Sequence, residues 1–272
     1  MLTNEGHRLD RVLVCSPRRE YFQVHVEDLK SQNLLQRADP ETAEEQHDAL
    51  KEILRRFGAD VLDREELPGH PNSVFTRDAS LITPEGYIQL RMGLPARRGE
   101  PAWMAKILES LEERCAGKIE SPGTMEGGDV ILAGRAAFVG LSARTNQSGV
   151  EQLSGLLQAM GYEMRILPIM SPYLHIGSLM SAVGPEEILC GRGMFPEGFF
   201  TGYDALEVDI RTPISCNVIC LKNREVIVAS SEMETAEALD KKGHRVHLLD
   251  LSEFIKGDGG PTCLILPLER TS

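Results

Sequence analysis

No run of apolar residues in this 272-residue chain is long enough to span a bilayer. The first residues, Met1-Leu2-Thr3-Asn4-Glu5-Gly6-His7, hold no apolar core of a secretory leader. The six cysteines (Cys15, Cys115, Cys190, Cys216, Cys220 and Cys263) form no C-x-x-C pair and are not densely spaced. That disfavours a thiolate metal site and a disulfide framework, and suits a reduced, cytoplasmic protein. Clustered Asp-x-His ligands, the pattern of a binuclear metal hydrolase, are missing as well. Positive charge is scarce: 29 Lys and Arg against 41 Asp and Glu give a net charge of -12. Such a surface argues against nucleic acid or an anionic membrane as partner, and suits a soluble enzyme with a cationic substrate. No linker-like shift of composition divides the chain. Residues 1–272 therefore read as a single domain, and a hydrophobic content of 42% is ample for its core.

What is present is a repeated pattern. Val130 to Ala133 and Ala136 to Leu141 read as strands around a Gly134-Arg135 turn. A helix from Val150 to Met160 follows, stopped by Gly161, and then a strand from Met164 to Ile169. The same strand-strand-helix-strand order recurs at Val218 to Leu221, Val226 to Ser230, Glu232 to Lys242 and Val246 to Leu249. A degenerate copy is expected between Leu179 and Asp209. Earlier copies are expected around the helix opened by Asp39-Pro40 and closed by Gly58, and around Trp103 to Leu111, with Trp103, Ile107, Leu108 and Leu111 inward. Arg11 to Cys15 reads as a buried strand, Arg18 to Asp39 as a mobile loop, and Ser73 to Ser80 as extended chain. A repeat of roughly 40–50 residues suggests a radial or stacked α/β architecture. Units set around an axis bring strand ends from distant sequence to one centre.

Several residues stand where chemistry is practicable. The glycine-rich run Gly257-Asp258-Gly259-Gly260-Pro261-Thr262-Cys263 delivers one thiol to the mouth of the apolar strand from Leu264 to Leu268. It reads either as the seat of a nucleophile or as a small buried hydrophobe. Met125-Glu126-Gly127-Gly128-Asp129 places carboxylates and glycines before a strand, as a polar turn or as a held carboxylate. Asp78, beside Arg77, has a similar setting or belongs to a surface ion pair. His175 precedes an apolar strand and is the histidine best placed to partner a cysteine, whereas His47 reads as helix surface and His244 and His247 as exposed or half-buried. Arg91 and Arg144 follow apolar strands, where a planar guanidinium fork suits a carboxylate, or they are ordinary surface arginines.

Together these pieces resemble a known group. Glu126-Gly127-Gly128-Asp129-Val130, Phe138-Val139-Gly140-Leu141-Ser142, Arg144-Thr145-Asn146-Gln147, Leu174-His175 and Asp258-Gly259-Gly260-x-Thr262-Cys263 are similar to segments of the guanidino-group-modifying enzymes. Within that superfamily the likeness is greatest to the dimethylarginine dimethylaminohydrolases, and Arg91-Met92-Gly93 with Arg97-Arg98-Gly99-Glu100 extends it. The resemblance covers nearly the whole chain, in order. It implies the pentein fold, a five-bladed α/β propeller of ββαβ units with pseudo-fivefold symmetry. It implies a cysteine hydrolase that converts arginine or an N-methylated arginine to citrulline plus an amine or ammonia through a thiouronium, without metal or organic cofactor.

Carried over, Cys263 is the nucleophile and His175 the general acid and base. Glu126 and Asp78 surround the guanidinium, and Arg91 and Arg144 hold the substrate's α-carboxylate. Asn72 and Arg77 stand where the group carries acidic residues, which puts Asn72 among the expected substrate contacts. Gly177 stands where arginine deiminases carry an aspartate, so a second guanidinium-binding carboxylate is missing by either template. A small guanidino amino acid is the expected partner, with a homodimer left open. Arginine deiminase and amidinotransferase activities are alternatives within the group, and a non-catalytic pentein binding protein is one outside it.

Overall fold

Asp39 is extended at φ -76° and ψ 125°, and its carboxylate accepts from the Thr42 N–H, while Pro40 takes the first helical position. These two residues start α1 (Pro40–Arg56), and Gly58 at φ +95° follows its end. Asn146 likewise accepts from the Gly149 N–H and starts α3 (Gln147–Ala159), with Gly161 at φ +93° beyond its end. The helices α2 (Glu100–Ser110) and α4 (Met233–Lys241) complete a set of four, each leading from one strand to a parallel neighbour, and a short α5 (Ser252–Ile255) stands apart. No helix among the described residues is long and apolar enough to cross a membrane.

The computed structural model describes residues 3–272, and its strands form five three-stranded sheets. β1 (Arg8–Cys15) and β2 (Asp60–Arg64) share a sheet with β15 (Leu266–Thr271). The second holds β3 (Ser80–Thr83), β4 (Gly86–Gln89) and β5 (Cys115–Lys118), and the third β6 (Val130–Ala133), β7 (Ala136–Leu141) and β8 (Glu163–Pro168). The fourth holds β9 (Met180–Gly184), β10 (Glu187–Gly191) and β11 (Asp204–Val208), and the fifth β12 (Ile219–Lys222), β13 (Glu225–Ala229) and β14 (Arg245–Leu249). In every sheet the middle strand is antiparallel to one neighbour and parallel to the other. The antiparallel pairs β3/β4, β6/β7, β9/β10 and β12/β13 are joined by tight turns, as at Gly134 with φ +60°. The parallel pairs need a crossover, which a helix supplies in four of the five.

This is the five-bladed pentein propeller. The degenerate copy is the fourth blade, where β10 reaches β11 without a helix. β15 pairs with β1 and so joins the two ends of the chain in one blade. Alternate residues along a strand feed different cores. Val130, Leu132, Ala137 and Val139 pack with α3 and the second sheet, while Ile131, Ala133, Ala136 and Phe138 pack with the fourth. Both faces are covered, which explains why these strands read as continuous apolar runs.

Some local expectations need correction. Pro71–Val74 and Thr76–Ala79 are 3-10 turns, not extended chain, and all their side chains are buried. The buried face of α2 is Met104, Ala105 and Leu108, with Trp103, Ile107 and Leu111 only partly covered. His47 and His244 are buried: Ser16 Oγ lies 3.1 Å from His47 Nδ1, and His244 Nε2 lies 3.4 Å from Glu187. The stretch from Arg18 to Asp39 is pinned at both ends. The Glu66 carboxylate accepts from the N–H groups of Arg18, Arg19, Glu20 and Tyr21, and the Lys256 carbonyl accepts from Leu35 and Gln36.

Candidate active site

A tight turn leads into the first strand of each blade. These are Thr76–Ala79, Gly127–Asp129, Ile176–Ser178, the Ile214 to Asn217 turn, and Pro261–Leu264. The turns before β3, β6, β9 and β15 contact one another in a chain. Five sequence-distant segments thereby bring Asp78, Glu126 with Asp129, His175, Asn217 and Cys263 to one end of the ring. Cys263, His175, Asp78, Asp258, Arg97, Arg144 and Asn72 line a single cavity of about 340 Å³. A larger hollow of about 810 Å³ lies around Arg77 and Arg270, but neither Cys263 nor His175 reaches it.

His175 Nε2 lies 2.9 Å from Glu126 Oε2. Glu126 is fully buried, and its other oxygen accepts from the Gly93 and Leu94 N–H groups at 3.0 and 3.2 Å. Arg144 Nη1 donates to both Glu126 oxygens at 3.3 Å. Asp78 accepts from the Gly128 N–H at 3.0 Å and from Arg97 Nη1 at 2.6 Å. Arg97 also forks onto Glu100 and donates to the carbonyls of Asn72 and Phe75. The double glycine now has its reason. A Cβ on Gly127 would lie 2.1 Å from the Arg77 carbonyl, and one on Gly128 would lie 2.5 Å from His175 Nδ1.

The charges follow from this packing. Burial disfavours the His175 imidazolium, but Asp129, Asp78 and Glu126 outweigh it and lift the group to about 9. Burial pushes Glu126 up, yet its hydrogen bond to His175, the charge of that ring, and then Arg97 and Arg144 bring it down to about 2. Burial raises Asp129 to about 6, while its carboxylate accepts from the Ile176 N–H and the Ser142 hydroxyl. Burial, and next the nearby Asp78 charge, push the Cys263 thiol up to about 11. Asp78, Glu126 and His175 each offer a ligand-type atom within 4.8 Å of the others. Those atoms already serve one another and the two guanidinium groups of Arg97 and Arg144, whose charge opposes a divalent cation.

Of the residues expected from sequence, Cys263, His175, Asp78, Arg144 and Asn72 meet at the cavity, and Glu126 stands directly behind His175. Arg91 does not reach it. Its backbone is bridged to Met125, and Nη1 donates to the Gly123 carbonyl at 3.0 Å. Arg77 and Asp78 form no surface pair. Both are buried, and Arg77 grips Glu5 with two N–H groups at 2.7 and 2.9 Å. Sequence reading missed Arg97, Asp129, Asp258 and Asn217 as parts of the site. The i, i+3 spacing of Arg97 and Glu100 was a signal for the first, and the glycine-flanked acid at Asp258 for the third. Asn217, a lone amide in an apolar stretch, gave none.

Residues 64–176 and 204–270 match the arginine deiminase family. The dimethylarginine dimethylaminohydrolase of Streptomyces coelicolor is 30% identical over 86% of this chain and 89% of its own length. That of Pseudomonas aeruginosa is 29% identical over 85% and 91%. The structure of the Pseudomonas enzyme, as a cysteine-to-serine variant complexed with citrulline, superposes with a TM-score of 0.83 at 26% identity, covering 95% of this chain and 99% of that one. Five blades in the same arrangement, turns that gather a thiol, an imidazole and carboxylates in one cavity, and matches along most of the sequence agree: the chain belongs to the arginine deiminase family, within the guanidino-group-modifying superfamily and of its dimethylarginine dimethylaminohydrolase-like kind.

Proposed function

We propose that the protein hydrolyses the guanidino group of arginine or an N-methylated arginine, with Cys263 as nucleophile. The observation that supports this most is the shared cavity of Cys263, His175 and Asp78. A guanidinium is a poor electrophile, because its charge is spread over three nitrogens. Asp78 and Asp258, both at the cavity wall, localise that charge, and Asp258 supplies the second carboxylate that the family templates left unfilled. The bound cation draws the Cys263 proton off, since a neighbouring positive charge favours the thiolate.

The thiolate attacks the central carbon and a C–S bond forms. The His175 imidazolium gives its proton to the departing nitrogen, the C–N bond breaks, and an amine or ammonia leaves. A thiouronium and a neutral His175 remain. His175 takes a proton from water, the hydroxide adds to the same carbon, and the C–S bond breaks to release a ureido product, citrulline from an arginine. Glu126 holds the ring by one nitrogen and stabilises its charge in the first half of the cycle. Of the two expected carboxylate clamps Arg144 lines the cavity and Arg91 does not, so Arg144 is the group we assign to the substrate's α-carboxylate.

The test is to offer arginine, monomethylarginine and dimethylarginine, and to identify both products of each by mass. The native protein gives citrulline and the matching amine from at least one of them. Cys263→Ser and His175→Ala give no ureido product while keeping the native fold by circular dichroism. Full activity in either variant removes the mechanism. Release of ammonia from arginine alone would assign the deiminase reaction instead.

A further inference from the structure

Four of the five turns at the site end of the ring carry groups with a part in the chemistry above, and the fifth carries Asn217. Its side-chain Oδ1 accepts from the Thr262 N–H at 2.8 Å and from the Thr262 hydroxyl at 2.9 Å. With the oxygen so engaged, Nδ2 faces the Gly177 carbonyl at 3.3 Å and the Cys263 sulfur at 3.9 Å. Asn217 is 5% exposed. One amide therefore ties the turn that follows His175 to the turn that carries Cys263. The chain also makes room for it: a Cβ on Gly260 would lie 2.6 Å from the Asn217 side chain.

We propose that Asn217 is a positioning residue that holds Cys263 toward the cavity and presents an N–H to its sulfur in the thiolate form. Resting on the reading of Cys263 as nucleophile, this adds the group that keeps it oriented. A thiolate accepts hydrogen bonds more strongly than a thiol, so a donor at this place favours the reactive form. The charged groups that face the sulfur are Asp78, Asp258, Arg77 and His175. Burial and the two carboxylates favour the thiol, with Arg77 and the Gly260 backbone opposing them, so a neutral donor at the sulfur counts on the thiolate's side.

The experiment reads the rate of Cys263 alkylation by iodoacetamide against pH, with the modified site located by peptide mass spectrometry. It needs no substrate. Asn217→Asp keeps an acceptor for Thr262 but replaces the donor with an oxygen, and it slows alkylation at pH 8 about tenfold, as a one-unit rise of the thiol does. Asn217→Ser removes the amide at smaller size and serves if the aspartate variant does not fold. It moves the profile in the same direction. Thr262→Val leaves the amide but removes one of its anchors and gives a smaller shift. A folded Asn217 variant whose alkylation profile superimposes on the native one, even with a lowered melting temperature, overturns the proposal and leaves Asn217 a structural clamp. Native protein that alkylates as described but turns over no guanidino compound would refute the assigned function and not this role.

Discussion

His175 and Cys263 line one cavity with their proton affinities in inverted order: the imidazole is lifted to about 9 and the thiol to about 11. Below about 9 the free protein therefore holds a proton on both groups, and between about 9 and 11 the thiol keeps its proton while the ring is neutral. The pair that the proposed reaction uses, thiolate with imidazolium, is then the minor arrangement of one shared proton.

A pH profile follows. Below about 9 the ring is charged and the thiol is not ionised, so kcat/KM rises about tenfold per pH unit. It is level between about 9 and 11 and falls above that range, as the ring is then lost as an acid. In Glu126→Gln, the carboxylate that helps to hold the ring's proton is gone, so His175 moves down and the level region widens toward neutral pH. Stability has its own signature. The Glu126 contribution is present above about 4.5 and is lost as pH falls toward about 2, while the His175 contribution is present below about 6.5 and is lost as pH rises through about 9. Stopped assays and melting curves across pH measure both. A profile already level at pH 7 would remove the inverted order.

Arg97 stands between Asp78 and Glu100, all three buried, with its fork on both carboxylates. Arg97→Met leaves two acids without a cation and costs about 3–5 kcal/mol. Chemical denaturation reads this as a lowered midpoint with an unchanged slope. Adding Glu100→Gln to Arg97→Met recovers part of the loss. Arg97→Lys does not recover it, because an ammonium cannot span both acids in one plane.

Gly128→Ala puts a methyl group where His175 Nδ1 and Asp78 Oδ1 stand, at 2.5 and 3.0 Å. The ring has to shift, and a displacement near 1 Å in such a site costs about a hundredfold in rate. The drop belongs in kcat more than in KM. Gly155→Ala in α3 is the control, since nothing lies within 4 Å of the added carbon. That change leaves activity alone and raises stability by about 0.5–1 kcal/mol.

The repeat was legible because strand and helix periods are local. β6 and β7 fall on the expected residues, and Asp39 opens its helix as expected, whereas α3 begins at Gln147, three residues before the expected Val150. The turns at the blade mouths were not, because their conformation is set by the ring. Thr76–Ala79 is half polar and reads as extended chain, yet it is buried against the turns before β6 and β15, which only the closed ring brings near. The same cause hid Asn217, whose partners Gly177 and Thr262 lie in other blades. Arg97 was quoted within a motif, but its hold on Asp78 depends on a cavity wall that no single segment contains. Arg91 shows the reverse: its place after an apolar strand suggested the cavity, and the bridge to Met125 takes it elsewhere.

β15 is the last strand in the chain, and it completes the blade that β1 begins. Cys263 sits in the turn immediately before it. Four blades and two of the three strands of the fifth are built from residues that precede it, and the pairing of the two chain ends sets Cys263 at the cavity that His175 lines. The place of the thiol thus depends on the seam between the two ends of the chain, and opening that one pairing would release it while the other four sheets keep their hydrogen bonds.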